Sequence, residues 1–144
     1  MRLKIHFLTG RPIFRSLDWD INKKELQADF AVIDKRGVQW FVPKGYITDG
    51  ASIPDALEPL IGDPFAGVTT TGSLVHDKYC DTKEKSQKDT HRIFRELVDF
   101  EIKHNPDYGF FRWPWKNKTW HFARSRLMWA AVRVFNRLKH KDWK

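Results

Sequence analysis

Cysteine and long apolar runs are scarce in this sequence, and each shortage excludes a class of protein. Cys80 is the single cysteine in 144 residues, which excludes an internal disulfide and fits a reducing compartment. The apolar run from Leu127 to Val132 lies between two arginines and is too short to cross a bilayer. The N-terminus carries no apolar stretch of the secretory type. We therefore expect a soluble or at most peripheral protein with no transmembrane segment.

Motifs of several common enzyme classes are also missing. No glycine-rich loop of the kind that binds phosphates or dinucleotides occurs in the sequence. A serine triad built from Ser52, His76 and Asp77 would lack the sequence that normally presents the nucleophile. A phosphohydrolase of the HD type would need a further upstream histidine, and only His6 precedes His76. The remaining function classes are metal-dependent catalysis and the binding of a partner without catalysis.

Acidic residues are nearly absent from the last part of the chain. Residues 111–144 hold ten lysines and arginines against one aspartate, a net charge of +9, whereas residues 1–110 carry −1. Five tryptophans are interleaved with these charges: Trp113, Trp115, Trp120, Trp129 and Trp143. A basic aromatic segment can bind nucleic acid, lie on an anionic membrane or partner, or pack as a helix. No nucleic-acid-binding motif accompanies the charge, so we do not expect sequence-specific recognition.

The apolar residues of this basic segment fall at helical spacing. One predicted helix face consists of Trp120, Leu127, Ala131, Val134 and Leu138. We expect this face to be core and the arginines to form a solvated rim.

The periodicity of the chain predicts an α+β fold. Residues 1–48 are mainly β, with alternating segments at 4–8, 13–21, 26–33 and 38–42, the last two flanking the hairpin signal Asp34-Lys35-Arg36-Gly37. The pattern of residues 53–104 predicts helices at 53–61, at 69–80 and from a Ser86 cap to His104. Residues 111–144 predict a basic, tryptophan-rich C-terminal helix. The length predicts a single domain, in which a small N-terminal antiparallel sheet packs against three to four C-terminal helices.

The most informative stretch runs from Tyr46 to Pro54 and reads YITDGASIP. Asp49-Gly50 is typical of a turn that follows a strand, and Ser52 can cap a helix with Pro54 in its first turn. The carboxylate of Asp49, held at such a corner, is a natural metal ligand or base. Plain turn formation explains Asp49 equally well.

His76 and Asp77 form a doublet in the predicted helix that follows. Adjacent residues on a helix diverge by about 100°, so one can enter a site while the other orients it or faces elsewhere. His91 follows fifteen residues later and can face back toward the preceding helix. Cys80 could share a helix face with His76 as a metal or nucleophile partner, but a buried structural cysteine is the plainer interpretation.

The order of these motifs resembles a family of small phage and bacterial proteins of unknown function, DUF1353. Its pattern has a VP-x-G-[FY]-x-TD-x-AS-[IV]-P block, an HD doublet, an AD-x-x-F helix and an AVR segment before terminal tryptophans. This chain has the block at 42–54, the doublet at 76–77 and AVR at 131–133, so the resemblance runs from about residue 38 onward. It implies a phage or prophage setting and no established reaction.

One departure from this pattern bears on chemistry. Where the pattern has Ala-Asp, the chain reads Thr90-His91. Histidine can replace aspartate as a metal ligand but is a poor replacement for it as a helix cap. The departure therefore favours a metal role at position 91 and puts in doubt any role there that needs a carboxylate.

Two functions follow from these residues, and the sequence does not decide between an enzyme and a binding protein. The first is a metal-dependent hydrolase, in which Asp49, His76 and His91 bind zinc and Asp77 orients His76 or acts as a base. Its substrate class would be bacterial cell-wall material, by analogy with the phage setting. The second is a non-enzymatic virion, tail or assembly component, in which the same residues form a buried polar network.

The basic segment would then dock to a partner. The expected partners are other phage structural proteins, or nucleic acid bound through Arg124, Arg126 and Arg133. The expected location is the host cytoplasm during assembly, or the virion itself.

Overall fold

The structure is a computed structural model that describes residues 4–49, 69–104, 118–139 and 141–143. For Ile21, Asn22, Lys118, Trp120, His121 and Arg124 it describes the backbone alone. Six strands precede three helices, so the predicted α+β class is confirmed. The predicted helix at 53–61, and with it Ser52 and Pro54, lies outside the described residues.

The strands form two three-stranded antiparallel sheets rather than one. The strands are β1 His6–Phe7, β2 Phe14–Leu17, β3 Asp20–Leu26, β4 Phe30–Ile33, β5 Gln39–Val42 and β6 Ile47–Thr48. The first sheet has the order β1-β4-β5 and the second has the order β2-β3-β6. The prediction of one continuous strand at 26–33 is wrong. The chain leaves the second sheet after Leu26 and enters the first sheet at Phe30. The carboxylate of Asp29 accepts from the Lys44 amide at 2.8 Å in this crossing.

The hairpin predicted between β4 and β5 is confirmed. Asp34 accepts hydrogen bonds from the backbone amides of Arg36 and Val38 at 2.8 and 2.9 Å, and Gly37 takes a positive φ of 82°. Alternation along β5 buries Trp40 and Val42 completely, because successive side chains of a strand point to opposite faces. These side chains form the sheet side of the core.

The three helices are α1 Thr70–Thr82, α2 Gln87–His104 and α3 Lys118–Lys139. The predicted cap of α2 is confirmed, since the Ser86 hydroxyl accepts from the Asp89 amide at 3.1 Å and donates to the Asp89 carboxylate at 2.9 Å. In the described part of the chain, no helix has the length and apolarity needed to cross a membrane.

The buried side chains form two clusters, and α2 contributes to both. Ile93 and Leu97 pack with the first sheet and α1, whereas Phe94, Val98 and Ile102 pack with α3. Phe100 completes the predicted stripe only as a partly buried residue. The face of α2 is wider than the stripe predicted from sequence, because it has neighbours on two sides.

The prediction of a core face on α3 is wrong at its three large aliphatic residues, whereas Ala131 packs against the second buried cluster as predicted and the side chain of Trp120 lies outside the described part. Leu127, Val134 and Leu138 are 55%, 59% and 67% exposed, and Met128 and Val132 are the buried residues instead. Apolar residues occur on two faces of this helix, and the spacing alone cannot tell which of them packs. The AVR segment lies within α3, with Val132 in the core and the Arg133 guanidinium 5.2 Å from the centre of a Trp129 ring.

Candidate functional site

Two buried histidines from adjacent helices meet at the centre of the helical layer. Nε2 of His76 on α1 lies 3.0 Å from Nδ1 of His91 on α2, and the rings are stacked with centroids 5.1 Å apart. The side chains are 1% and 3% exposed. The structure thus brings together two of the three predicted metal ligands, although they are far apart in sequence.

A residue of α3 completes this cluster. The amide nitrogen of Asn136 lies 3.2 Å from Nε2 of His76, and Cys80 Sγ lies 3.5 Å from the other nitrogen of the same ring. Asn136 is 2% exposed. We call His76, Cys80, His91 and Asn136 the polar helix junction, because each of the three helices supplies at least one member.

The protonation states in this junction follow from burial. Burial lowers the pKa of His91 to about 4, and the positive charges of Arg133 and Arg137 act in the same direction. The ring is therefore neutral at pH 7, so one of the two facing nitrogens donates and the other accepts. Burial also raises the pKa of the Cys80 thiol, assisted by the charges of Asp77 and Asp81. A protonated, buried thiol is a poor nucleophile, which agrees with the structural interpretation of Cys80.

One polar atom of the junction has no partner. Nε2 of His91 is buried without a hydrogen bond. A buried nitrogen of this kind forgoes the bond it would make to water, at a cost of about 1–3 kcal/mol. It is also the position at which His91 could bind a further group.

Asp77 faces away from its neighbour His76. The hydroxyl of Thr48 on β6 donates to Oδ2 of Asp77 at 2.5 Å, so Asp77 ties the second sheet to α1. The side chain of Asp49 is exposed, and it is hydrogen-bonded to Asp77. The predicted doublet therefore serves two places, with His76 directed to the helices and Asp77 directed to the end of β6, where Asp49 follows. We call Asp49, Asp77 and Asp81 the acidic corner.

A tyrosine contacts the third aspartate of this acidic corner. The hydroxyl of Tyr46 donates to Oδ2 of Asp81 at 2.6 Å. Burial raises the pKa of Asp77 well above its ordinary value, and the nearby charges of Asp49 and Asp81 add to the effect, while the bond from Thr48 opposes it.

The proposed zinc site would need a third ligand beside the two imidazoles. Across residues 4–49, 69–104, 118–139 and 141–143, no three or more histidine, cysteine, aspartate or glutamate side chains are grouped so that they could hold a metal ion. In this structure Asp49 makes its contact with Asp77, and His76 and His91 make theirs with each other. The zinc site stays a prediction.

Sequence reasoning missed several residues of these two clusters. Thr48, Asp81 and Asn136 received no role, although Thr48 and Asn136 contact Asp77 and His76, and the charge of Asp81 acts on Asp77. A signal existed for Asn136, because it lies four residues after Val132 and eight after Met128, on one face of a helix. An asparagine in line with such apolar residues indicates a buried polar contact.

The model of one protein family matches this chain over residues 24–107, and its description is a protein of unknown function, DUF1353. The chain belongs to the DUF1353 family. The matched part contains Asp49, His76, Asp77 and His91, whereas α3 with Asn136 lies beyond it. In this DUF1353 protein the acidic corner and three of the four members of the polar helix junction thus lie in the matched part.

Two curated relatives come from Sinorhizobium fredii (strain NBRC 101917 / NGR234). The chain is 46% identical to uncharacterized protein y4jT over 70 residues, which cover 49% of this chain and 21% of that protein. It is 43% identical to uncharacterized protein y4iH over 79 residues, which cover 55% of this chain and 33% of that protein. The matching stretch is therefore a part of longer proteins. None of the solved structures matches this chain significantly.

Proposed function

We propose that this DUF1353 protein is a non-catalytic phage or prophage component that binds an acidic helix of another structural protein through the outer face of α3. The phage setting is the one implied by the family resemblance. The observation that carries the binding role is the exposure of three large aliphatic side chains, Leu127, Val134 and Leu138, on one helix. Several exposed apolar side chains on one surface indicate a protein–protein interaction site.

The spacing of these residues indicates what kind of partner fits. Together with the exposed Ala123 and Ala130, they follow one another at intervals of four, three, four and four residues. This is close to the 3.5-residue period of a seam that packs against another helix. The alanines leave room for the close approach of the partner's backbone. We call these five residues the α3 seam.

The charge around the seam restricts the partner further. Arg126, Arg137, Lys139 and Lys141 are exposed on or just after this helix. A second copy of the same chain would bring like charges together, so an acidic partner is favoured over self-association. Nucleic acid is a weaker match, because phosphates gain nothing from the aliphatic side chains. Arg126 already binds Asp99 at 2.9 Å, and Arg133 lies against Trp129.

The polar helix junction gives this surface a fixed direction. Asn136 points inward from α3 to His76, and rotation of α3 would take the buried Asn136 amide away from this ring. The α3 seam lies on the other side of the same helix and therefore stays exposed. In this proposal the two histidines orient the docking helix.

The test uses a synthetic helical peptide with leucine at the seam positions of each heptad and glutamate beside them. We expect saturable binding, measured by fluorescence anisotropy, which weakens about tenfold in the Leu127→Glu/Val134→Glu variant. A peptide with lysine in place of glutamate is the charge control. Lys44→Glu is the control variant, because it places a new acid on an exposed position just before β6, in the sheet part of the chain.

The natural partner is then identified with a photo-crosslinking residue at position 134 in a host that produces the phage proteins. Crosslinks to an acidic helix of a phage structural protein support the proposal. It fails if the acidic peptide does not bind, or if duplex DNA or anionic vesicles bind instead and lose binding when Arg126 and Arg133 are changed to glutamine.

A metal-dependent hydrolase is the second candidate, because two imidazole nitrogens face each other at 3.0 Å as paired metal ligands do. Metal analysis of purified protein decides it. About one zinc per chain that is lost in both His76→Ala and His91→Ala, with folding retained, favours the hydrolase. Metal-free protein whose variants are merely less stable favours the orienting role of the histidines.

A further inference from the structure

A cavity lies at the C-terminal end of α2. It is bordered by the residues just before β1 and by the start of α3. Its volume is about 410 Å³. This is within the range of about 300–1,000 Å³ that small-molecule sites occupy. The cavity contains neither histidine of the polar helix junction nor any residue of the α3 seam.

The rim of the cavity is basic. Lys4, Lys35 and Lys103 line it and come from three different parts of the chain. Among the described residues that line the cavity, Asp99 is the one acid. Three ammonium groups around one opening favour a ligand with more than one negative charge, such as a phosphate.

The walls of the cavity are apolar and partly aromatic. Phe100 and Phe122 line it together with Ile5, and the ring of His104 lies against Phe100 with centroids 4.2 Å apart. Nδ1 of His104 lies 2.8 Å from the Phe100 carbonyl, which can only accept, so Nδ1 carries the proton and the ring is held in place. A planar ring of a ligand could stack on these side chains.

Asp99 supplies a fixed acceptor beside these rings. Its carboxylate is held by the Ser125 hydroxyl at 3.2 Å and by Arg126 at 2.9 Å. A carboxylate held in this way can accept a further bond from a hydroxyl or amino group. A sugar diol and a base amine both meet that need, whereas a simple aromatic acid does not.

We propose that this cavity is a mononucleotide site. The phosphate binds the lysines of the rim, the base stacks against Phe100 and Phe122, and Asp99 accepts from the sugar or from the base. The proposal is independent of the docking function of α3, because it rests on other side chains.

The test is calorimetric titration of the full-length protein with AMP, with inorganic phosphate and adenosine as separate probes. We expect one AMP per chain, with an affinity that falls as salt is raised. Either half of the ligand alone should bind at least about tenfold more weakly, because each lacks one set of contacts. A short single-stranded oligonucleotide, titrated in parallel, distinguishes a free nucleotide from one within a strand.

Matched variants locate the site. Lys35→Gln/Lys103→Gln should weaken AMP binding by about tenfold, because the phosphate loses two charged contacts at an open, solvated rim. Lys88→Gln is the control, since it lies on the same helix about 22 Å from Lys103 along the axis. Phe122→Leu keeps an apolar wall and should weaken AMP binding while leaving phosphate binding unchanged.

Amide chemical shifts measured during the titration provide a second readout that does not depend on variant stability. Shifts concentrated at residues 99–104 support the proposal. It is overturned if AMP does not bind at millimolar concentration, if phosphate binds as tightly as AMP, or if the shifts and the mutational effects lie elsewhere.

Discussion

Thr48 donates to Asp77 at 2.5 Å, and this bond joins the last strand of the second sheet to the first helix. Its acceptor is a carboxyl group that is only 6% exposed and lies beside the carboxyl groups of Asp49 and Asp81. A bond that crosses from sheet to helix holds the end of β6 against α1. The protonation of Asp77 therefore bears on the stability of the whole contact.

The first prediction concerns pH and Asp77. Because burial raises the pKa of this group in the folded protein, the native state binds its proton more tightly than the unfolded chain does. This contribution to stability is fully present below the unfolded value of 3.8 and is lost as pH rises through the folded value. Asp77→Asn should remove this loss, since asparagine stays neutral and can still accept from Thr48. Urea unfolding across pH measures the difference.

Asp142→Asn is the control for this prediction, because Asp142 is exposed. Equal pH profiles for wild-type protein and Asp77→Asn would contradict the proposed linkage.

The second prediction concerns acid and His91. Its folded pKa of about 4 lies below the ordinary value of 6.5, so the unfolded chain takes up a proton that the native state refuses. The stability contribution is present above pH 6.5 and is lost as pH falls toward 4, by about 3 kcal/mol at most. His91→Gln should abolish this acid-induced loss. His6→Gln, at an exposed strand position, should leave it intact.

The third prediction concerns the crossing of α1 and α2 at Gly72. A Cβ added there would lie 3.1 Å from the carbonyl oxygen of Phe94 and 3.1 Å from Cγ2 of Val98. Because backbone is one of the obstacles, Gly72→Ala should lower the free energy of unfolding by about 1–3 kcal/mol, despite the better helix propensity of alanine. A double-mutant cycle with Val98→Ala measures how much of the cost comes from that side chain. An additive cycle would place the strain at Phe94, whose carbonyl oxygen and Cδ2 would lie 3.1 and 3.2 Å from the added atom.

The fourth prediction concerns the fully buried Asp34. Burial disfavours its charge, yet bonds from Trp40, from the Val38 and Arg36 amides and from Arg92 lower its pKa overall. Asp34→Ala should cost about 3–5 kcal/mol, because Arg92 and the Trp40 indole would lose a buried partner. Urea unfolding gives the free energy, and the tryptophan emission spectrum reports the change at Trp40. A cost below about 1 kcal/mol would contradict the anchoring role of Asp34.

Local patterns in the sequence predicted the parts of this fold that depend on neighbours along the chain. The hairpin at Asp34 and the Ser86 cap of α2 were predicted because a turn or a cap is built within a few residues. The exposed face of α3 and the change of sheet between Leu26 and Phe30 depend on what packs from elsewhere. Amphipathic spacing fixes which residues share a face, but the partner of that face is a tertiary property.

The same distinction holds for the candidate site. The sequence predicted that His91 would face back toward His76, because both lie on helices that follow one another in the chain. It did not predict that Asn136 would join them or that Asp49 would contact Asp77 instead of the histidines. Those contacts are set by the packing of α3 and by the path of the chain into the corner, which no short-range pattern encodes.

Because α2 contributes to two buried clusters, the two clusters can unfold separately. Since α3 contacts the described remainder mainly through α2, it can separate as a unit while the first sheet, α1 and α2 stay together. Backbone amides in α3 should then exchange with deuterium sooner than those near Ile93 and Leu97. A bound partner on α3 would slow that exchange selectively, so the kinetics of a single helix would report occupancy of the outer surface.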